Sequence, residues 1–141
     1  MPDADTHAAA LRLLEPMFAA EFAYMRSDPP DATLLEAAFD PEVVVHEPGS
    51  LPYAGDWRGL DDVAALIRLM GETWSQMTLE GLVAVRDGDL VFLSCTLRLV
   101  SRATGRSIEQ PFAEALRFRG GRLLEGRPFY FDTAALLATI T

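Results

Sequence analysis

Two glutamates occupy places where a folded chain ordinarily sets apolar side chains. Glu114 lies within the strand-like stretch Ile108-Glu109-Gln110-Pro111-Phe112-Ala113-Glu114-Ala115-Leu116-Arg117-Phe118. Strand side chains alternate between faces, so Glu114 shares its face with Ile108, Phe112, Leu116 and Phe118. Glu47 closes a second such run, Val43-Val44-Val45-His46-Glu47, just before Pro48. Apolar surroundings disfavour the charged carboxylate and raise its pKa by about 3 to 5 units when burial is complete. A carboxyl tuned in this way exchanges a proton near neutral pH, as general acid–base catalysis requires. Each acid also has a plainer reading: Glu47 as the solvated end of a strand, Glu114 as the buried partner of an arginine such as Arg98 or Arg127.

His46 adjoins Glu47 and therefore points to the opposite face of its strand; histidine is the residue type most used as a general acid or base, which makes it a further catalytic candidate. The other histidine, His7, falls in the N-terminal segment and is expected at the surface. Two scattered histidines and one cysteine offer no metal-ligand spacing, so no metal site is expected. The chain has no Gly-x-Ser-x-Gly, no Walker loop and no dinucleotide glycine motif, and no cofactor is expected. Cys95 alternates with Val91, Leu93, Leu97 and Leu99, the pattern of a small buried apolar residue. Phe18, Phe22, Tyr53, Trp57, Trp74, Phe112, Phe129 and Tyr130 are candidates to line an apolar pocket for a small hydrophobic molecule.

The elements that must position these groups follow from periodicity. Leu11, Leu14, Phe18, Phe22 and Met25 recur at spacings of three and four, predicting a helix over the first 27 residues that Pro16 kinks or restarts. Asp31 or Thr33 can cap a short helix running to Ala38. A strand at 43–47, a loop at 48–55 and an amphipathic helix from Leu60 to about Trp74 come next. Strands are then predicted near 77–86, 89–101, 106–119 and 122–131, joined at Asp87-Gly88 and Gly120-Gly121 by hairpin turns. Asp132 precedes Thr133-Ala134-Ala135-Leu136-Leu137, where it can cap a closing helix. Helices first and an antiparallel sheet second make an α+β class, expected as one domain over 1–141.

Of the 141 residues, 50% are hydrophobic and 23% charged, the balance of a domain with a substantial core. The net charge of −9 argues against nucleic-acid and anionic-membrane partners, since both need a basic face. An acidic start, Met1-Pro2-Asp3-Ala4-Asp5, and the lack of an apolar run of about 18 residues predict a cytoplasmic protein. Several strands are apolar on both faces: Leu90, Phe92 and Val100 oppose the row of Cys95. A homodimer through the sheet is the simplest cover for the second face.

The order helix, short helix, strand ending in acid and proline, helix, then long strands resembles the nuclear transport factor 2-like superfamily, a cone-shaped curved sheet wrapped by N-terminal helices. Within it the chain looks most like ketosteroid isomerases and SnoaL-like polyketide cyclases. Glu47-Pro48-Gly49-Ser50 resembles the isomerase stretch that carries the general base, and Glu114-Ala115-Leu116-Arg117-Phe118 has the spacing of the acid that donates to the oxyanion. The resemblance thus implies Glu47 as base and Glu114 as neutral donor, a pair of acids with separated pKa values. It also brings in Tyr24, near the isomerase's helical tyrosine, and Asp132, since SnoaL-like proteins can use an Asp near the final strand. Both acids are Glu rather than Asp, so a steroid-shaped geometry is not implied. The related limonene epoxide hydrolases use Arg and Asp on a central strand, where Ser94, Cys95, Thr96 and Leu97 stand here, and epoxide hydrolysis is disfavoured. The expected function is acid–base isomerisation, aldol-type cyclisation or dehydration of a small carbonyl compound; a non-catalytic binding or dimerisation module is the alternative.

Overall fold

The computed structural model describes residues 2–141. Helix α1 (Ala4–Arg26) begins at Asp3, whose side chain accepts from the Asp5 N–H, and runs through the exposed Pro16 as one helix. A single 3-10 turn, Ala32–Leu35, replaces the expected helix to Ala38, with Asp31 as its cap. Strand β1 (Phe39–Glu47) starts four residues earlier than the valine run indicates. The predicted loop then closes with a short strand, β2 (Gly55–Arg58), before α2 (Gly59–Thr73). The remaining elements are β3 (Trp74–Asp87), β4 (Leu90–Ser101), β5 (Ser107–Arg119), β6 (Arg122–Tyr130) and α3 (Thr133–Ile140).

All six strands form one sheet in the order β2-β1-β6-β5-β4-β3. The α+β class and the curved sheet hold, with one refinement: β1 pairs with β6 in parallel, so the sheet is mixed. The parallel pair arises because the chain crosses the open sheet between β1 and β6, whereas β3 to β6 follow one another through hairpins. Register shifts interrupt β3 between Glu80 and Val83 and β5–β6 between Arg117 and Phe118. Such bulges add twist and bend the strands, which turns a sheet into a trough. Gly81, at the β3 shift, has φ of +63°, a conformation that only glycine adopts without strain.

The trough is filled by α1 and α2. Leu14 and Met17 of α1, with Val63, Leu66 and Ile67 of α2, are buried against Phe39, Val91, Leu116, Phe118 and Leu123. Each fully buried side chain of this size stabilises the fold by roughly 1.5 to 3 kcal/mol. At the end of β5, Arg119 grips Asp40 of β1 with two hydrogen bonds of 3.0 and 2.8 Å and Glu42 with one of 2.7 Å, holding the Asp40 carboxyl below its usual range. His7 is not simply solvated: its Nδ1 accepts the Ala84 N–H at 3.2 Å, tying α1 to β3. Cys95 is buried, as its alternation indicates, and burial pushes its thiol up to about 11. No helix among the described residues is long and apolar enough to cross a membrane.

Candidate active site

Strand alternation carries Val43, Val45 and Glu47 of β1 into the trough, and Phe112, Glu114 and Leu116 of β5 likewise. Between them lies β6, whose Gly126, Pro128 and Tyr130 face the same way. Helix α1 closes the space from above. Its stripe Met17, Glu21, Met25 repeats every four residues and sets a third carboxyl over the other two. The result is two adjoining chambers of about 90 and 100 Å³, both walled by Glu21, Met25, Met70, Phe112, Glu114 and Tyr130. Glu47 belongs to the first chamber; Phe18, Phe22, Tyr53 and Trp74 belong to the second.

Three carboxyls in one apolar enclosure cannot all ionise cheaply. Burial lifts Glu114 from the ordinary 4.5 to about 7. Glu47 rises to about 8, through burial first and then repulsion by Glu114, with the Tyr130 hydroxyl pulling it part of the way back. Glu21 also reaches about 8, through burial and then the neighbouring charges of Glu114 and Glu47. Glu114 and Glu21 keep intermediate accessibility because the chambers reach them, yet protein surrounds both. Glu47 is only 8% exposed, and its Oε2 is buried with no hydrogen-bond partner among the described residues. A buried carboxylate oxygen without a donor is costly, which favours the protonated form of this group.

Aromatic hydroxyls complete the polar lining. Trp74 Nε1–H donates to the Tyr53 hydroxyl at 2.9 Å. The Tyr130 hydroxyl stands beside Tyr53 and Glu47, and burial, followed by the Glu47 charge, raises its pKa well above the ordinary 10. The Tyr130 ring meets Phe112 edge-on, centroids 5.1 Å apart, which fixes the phenol's direction. The site therefore offers carboxyls that trade protons near neutrality together with neutral O–H donors, inside walls of Phe, Met and Leu.

The structure gathers Glu47, Glu114, Tyr53, Trp74, Phe112, Phe18, Phe22 and Tyr130 around these chambers. Five other candidates lie elsewhere. His46 points away, as alternation requires, and lies between Asp56 (Nδ1–Oδ1, 2.7 Å) and Glu125 (Nε2–Oε2, 2.9 Å) on the outer side. Asp132 caps α3, its carboxylate accepting the Ala135 N–H at 3.0 Å. Tyr24 is buried at the wall of an outer groove, one helical turn beyond the position that faces the carboxyls; that position is Glu21. Trp57 donates from Nε1 to the Tyr53 carbonyl at 3.0 Å, bracing the loop that carries Tyr53. Phe129 is 53% exposed on the outer face of β6. The arginine alternative for Glu114 does not occur: Arg98 pairs with Glu109 at 3.0 Å on the outer face, and Arg127 is exposed. Glu21 was missed by the sequence reading. Its signal is a single charge within the apolar stripe Leu14, Met17, Glu21, Met25. Among the described residues no group of three His, Cys, Asp or Glu is arranged to hold a metal ion.

Comparison with known proteins agrees with this architecture. The model of the SnoaL-like domain matches residues 23–126. An uncharacterised protein of Mycobacterium tuberculosis is 31% identical over 111 residues, which span 74% of this chain and 80% of that one. Among solved structures, a nuclear transport factor 2-like protein of unknown function from Burkholderia pseudomallei is 26% identical with a TM-score of 0.74, covering 92% of this chain and 98% of the other. A putative SnoaL-like polyketide cyclase from Jannaschia sp. superposes with a TM-score of 0.73 over 99% of this chain and 96% of its own, at 13% identity, and so shares the fold.

Proposed function

Because the chain belongs to the SnoaL-like domain family, we propose that it is an acid–base enzyme that moves protons on a small apolar carbonyl compound, by isomerisation, aldol-type cyclisation or dehydration. The observation that carries this reading is the convergence of Glu21, Glu47 and Glu114 on one enclosed apolar space, with pKa values of about 8, 8 and 7. One ionised member takes the proton next to the carbonyl, and its protonated neighbours donate to the oxygen on which charge develops. The three titrate as a set: all are raised by burial, and repulsion among them keeps neighbours protonated when one ionises. Glu47, buried with an unpartnered Oε2, suits the neutral donor, and Glu114, which lines both chambers, suits the base, the reverse of the roles that the isomerase resemblance implies. Tyr130, and Tyr53 behind it, add neutral donors on the same side.

An apolar cavity of about 150 Å³ takes a benzene. The two chambers together therefore suit a body of one or two small rings. The Jannaschia protein's description as a putative polyketide cyclase supports the aldol-type branch of the proposal. The test is exchange of the acidic C–H of β-tetralone into deuterium oxide, followed by proton NMR. The wild-type chain is expected to accelerate exchange by about 10² to 10⁴ over buffer, the usual range for a positioned acid or base. Glu114→Gln and Glu47→Gln should each remove most of that acceleration while the fold persists. Full exchange activity in either variant refutes the assignment.

We also propose that two copies pair through the outer sheet face and that the protein acts in the cytoplasm. Cross-strand neighbours Val85, Phe92 and Ala115 there form an apolar row, and Ala113 brings Phe129 beside it. Phe92 is 51% exposed. Phe92→Asp should convert a dimer to a monomer in size-exclusion chromatography; a wild-type chain that already elutes as a monomer refutes the pairing.

A further inference from the structure

Next to the inner chambers, the outer groove that holds Tyr24 has a volume of about 560 Å³, several times larger than either. It shares Phe22, Met25, Trp74 and Met77 with the second chamber, so one thin wall separates the two spaces. Two of those four are methionines, unbranched side chains that adapt their rotamers readily. The groove's charge is opposite to that of the chain as a whole. The sequence has 21 acidic and 12 basic residues, yet three arginines, Arg26, Arg68 and Arg102, line this one opening against a single acid, Glu72.

Those arginines come from three separate elements: the last residue of α1, the outer side of α2 and the connection after β4. Among the described residues none has a carboxylate within 4.0 Å; the arginines that form ion pairs are Arg58, Arg98 and Arg119. Arg102 is instead held by neutral carbonyls, donating from Nε and Nη2 to Gly71 at 3.1 and 2.9 Å and from Nη2 to Trp74 at 3.5 Å. Carbonyls orient a guanidinium without neutralising it. Helix C-termini do attract cations, which accounts for the placement of Arg26 at the end of α1 and of Arg102 on the last-turn carbonyl of α2. That effect does not account for Arg68, in the middle of α2, on the same groove.

We propose that this groove is an anion-binding vestibule, in which Arg26, Arg68 and Arg102 hold a carboxylate or similar anionic group while the apolar body of the same molecule lies along Phe22, Met25 and Trp74 toward the inner chambers. The ligand class is thus an aryl or alicyclic acid rather than a neutral hydrocarbon ketone. The vestibule stands on its own geometry; only the onward path of the apolar end rests on the acid–base reading above. A guanidinium suits this task because it presents a planar fork of donors to a carboxylate and keeps its charge at any working pH.

The test uses two fluorescent probes with the same apolar body. Anilinonaphthalene sulfonate carries an anion, and N-phenylnaphthylamine does not. Each is titrated into the wild-type chain and into an Arg26→Gln/Arg68→Gln double variant, with circular dichroism to verify the fold. The sulfonate is expected to bind the wild-type chain more tightly than the amine, with its emission sensitised by Trp74 and diminished in Trp74→Phe. In the double variant its Kd should rise about tenfold or more, as for loss of charge-assisted hydrogen bonds, with the amine unaffected. Raising the salt concentration should weaken the sulfonate selectively. Equal affinity of the two probes for the wild-type chain, or equal weakening of both in the double variant, overturns the proposal. β-Tetralone carries no anion, so its exchange reports on the carboxyls, and the two readings fail separately.

Discussion

Replacing Glu47 by Gln should make the protein more stable, and increasingly so as the pH rises. The Glu47 carboxyl goes from an ordinary 4.5 to about 8 in the folded chain. Between those two values the folded chain holds a proton that the unfolded chain has released. Stability therefore falls as pH rises through the window and levels off above it. Integrating the difference gives a penalty of about 1 kcal/mol at pH near 5, about 3 kcal/mol near 7 and about 5 kcal/mol near 9. Gln has nearly the same shape and no charge, so it avoids this penalty and leaves a pH-independent offset for its buried amide. Urea unfolding of both chains, followed by tryptophan fluorescence, should show the variant gaining roughly 4 kcal/mol on the wild type between about pH 5 and about pH 9. With a slope of about 2 kcal/mol per molar urea, the midpoint difference changes by roughly 2 M. A difference between the two chains that stays flat across this range refutes the reasoning, because it means that Glu47 ionises as an ordinary surface carboxylate.

The other expectations concern neighbouring groups. Glu114→Gln removes the charge that repels both other carboxyls, so carbon-13 NMR should find Glu21 and Glu47 titrating at lower pH than in the wild type. Gly126→Ala adds a methyl 3.9 Å from Glu114 Oε2 and no nearer than 3.7 Å to any neighbour, so the fold should accept it and the Glu114 pKa should rise further as the chamber dries; an unchanged titration would show that Gly126 does not control hydration there. Asp132→Ala should cost about 0.5 to 2 kcal/mol through loss of the α3 cap, while β-tetralone exchange stays at the wild-type rate. A large fall in exchange without a fall in stability would return Asp132 to the catalytic set.

Alternation along β1 and β5 was legible in the chain, and it assigned faces correctly: Glu47 and Glu114 inward, His46 outward. The Asp-Gly and Gly-Gly turns likewise marked the hairpins that put β3 to β6 in sequence order, since φ above zero at these glycines is a local demand. Resemblance of the Glu-Pro-Gly-Ser stretch pointed to a strand end whose carboxyl the fold buries. These are short-range properties, with periods of two and of 3.6 residues, and a sequence displays them directly.

Which groups meet was another matter. Glu21 reaches Glu114 and Glu47 only because α1 lies across the trough, and Tyr130 comes beside Tyr53 across 77 residues only because β6 runs next to β1. Asp132 and Trp57 have residue types suited to a site, yet α3 and the Tyr53 loop claim their hydrogen bonds. The sequence by itself determined most of the elements, their faces and two of the three acids; the short strand β2 and the 3-10 turn at Ala32–Leu35 it did not. The tertiary structure decided the third acid, the shape of the chambers and the proton-holding character of the cluster, because desolvation and charge repulsion act through space and depend on how far bulges bend the sheet beneath the helices.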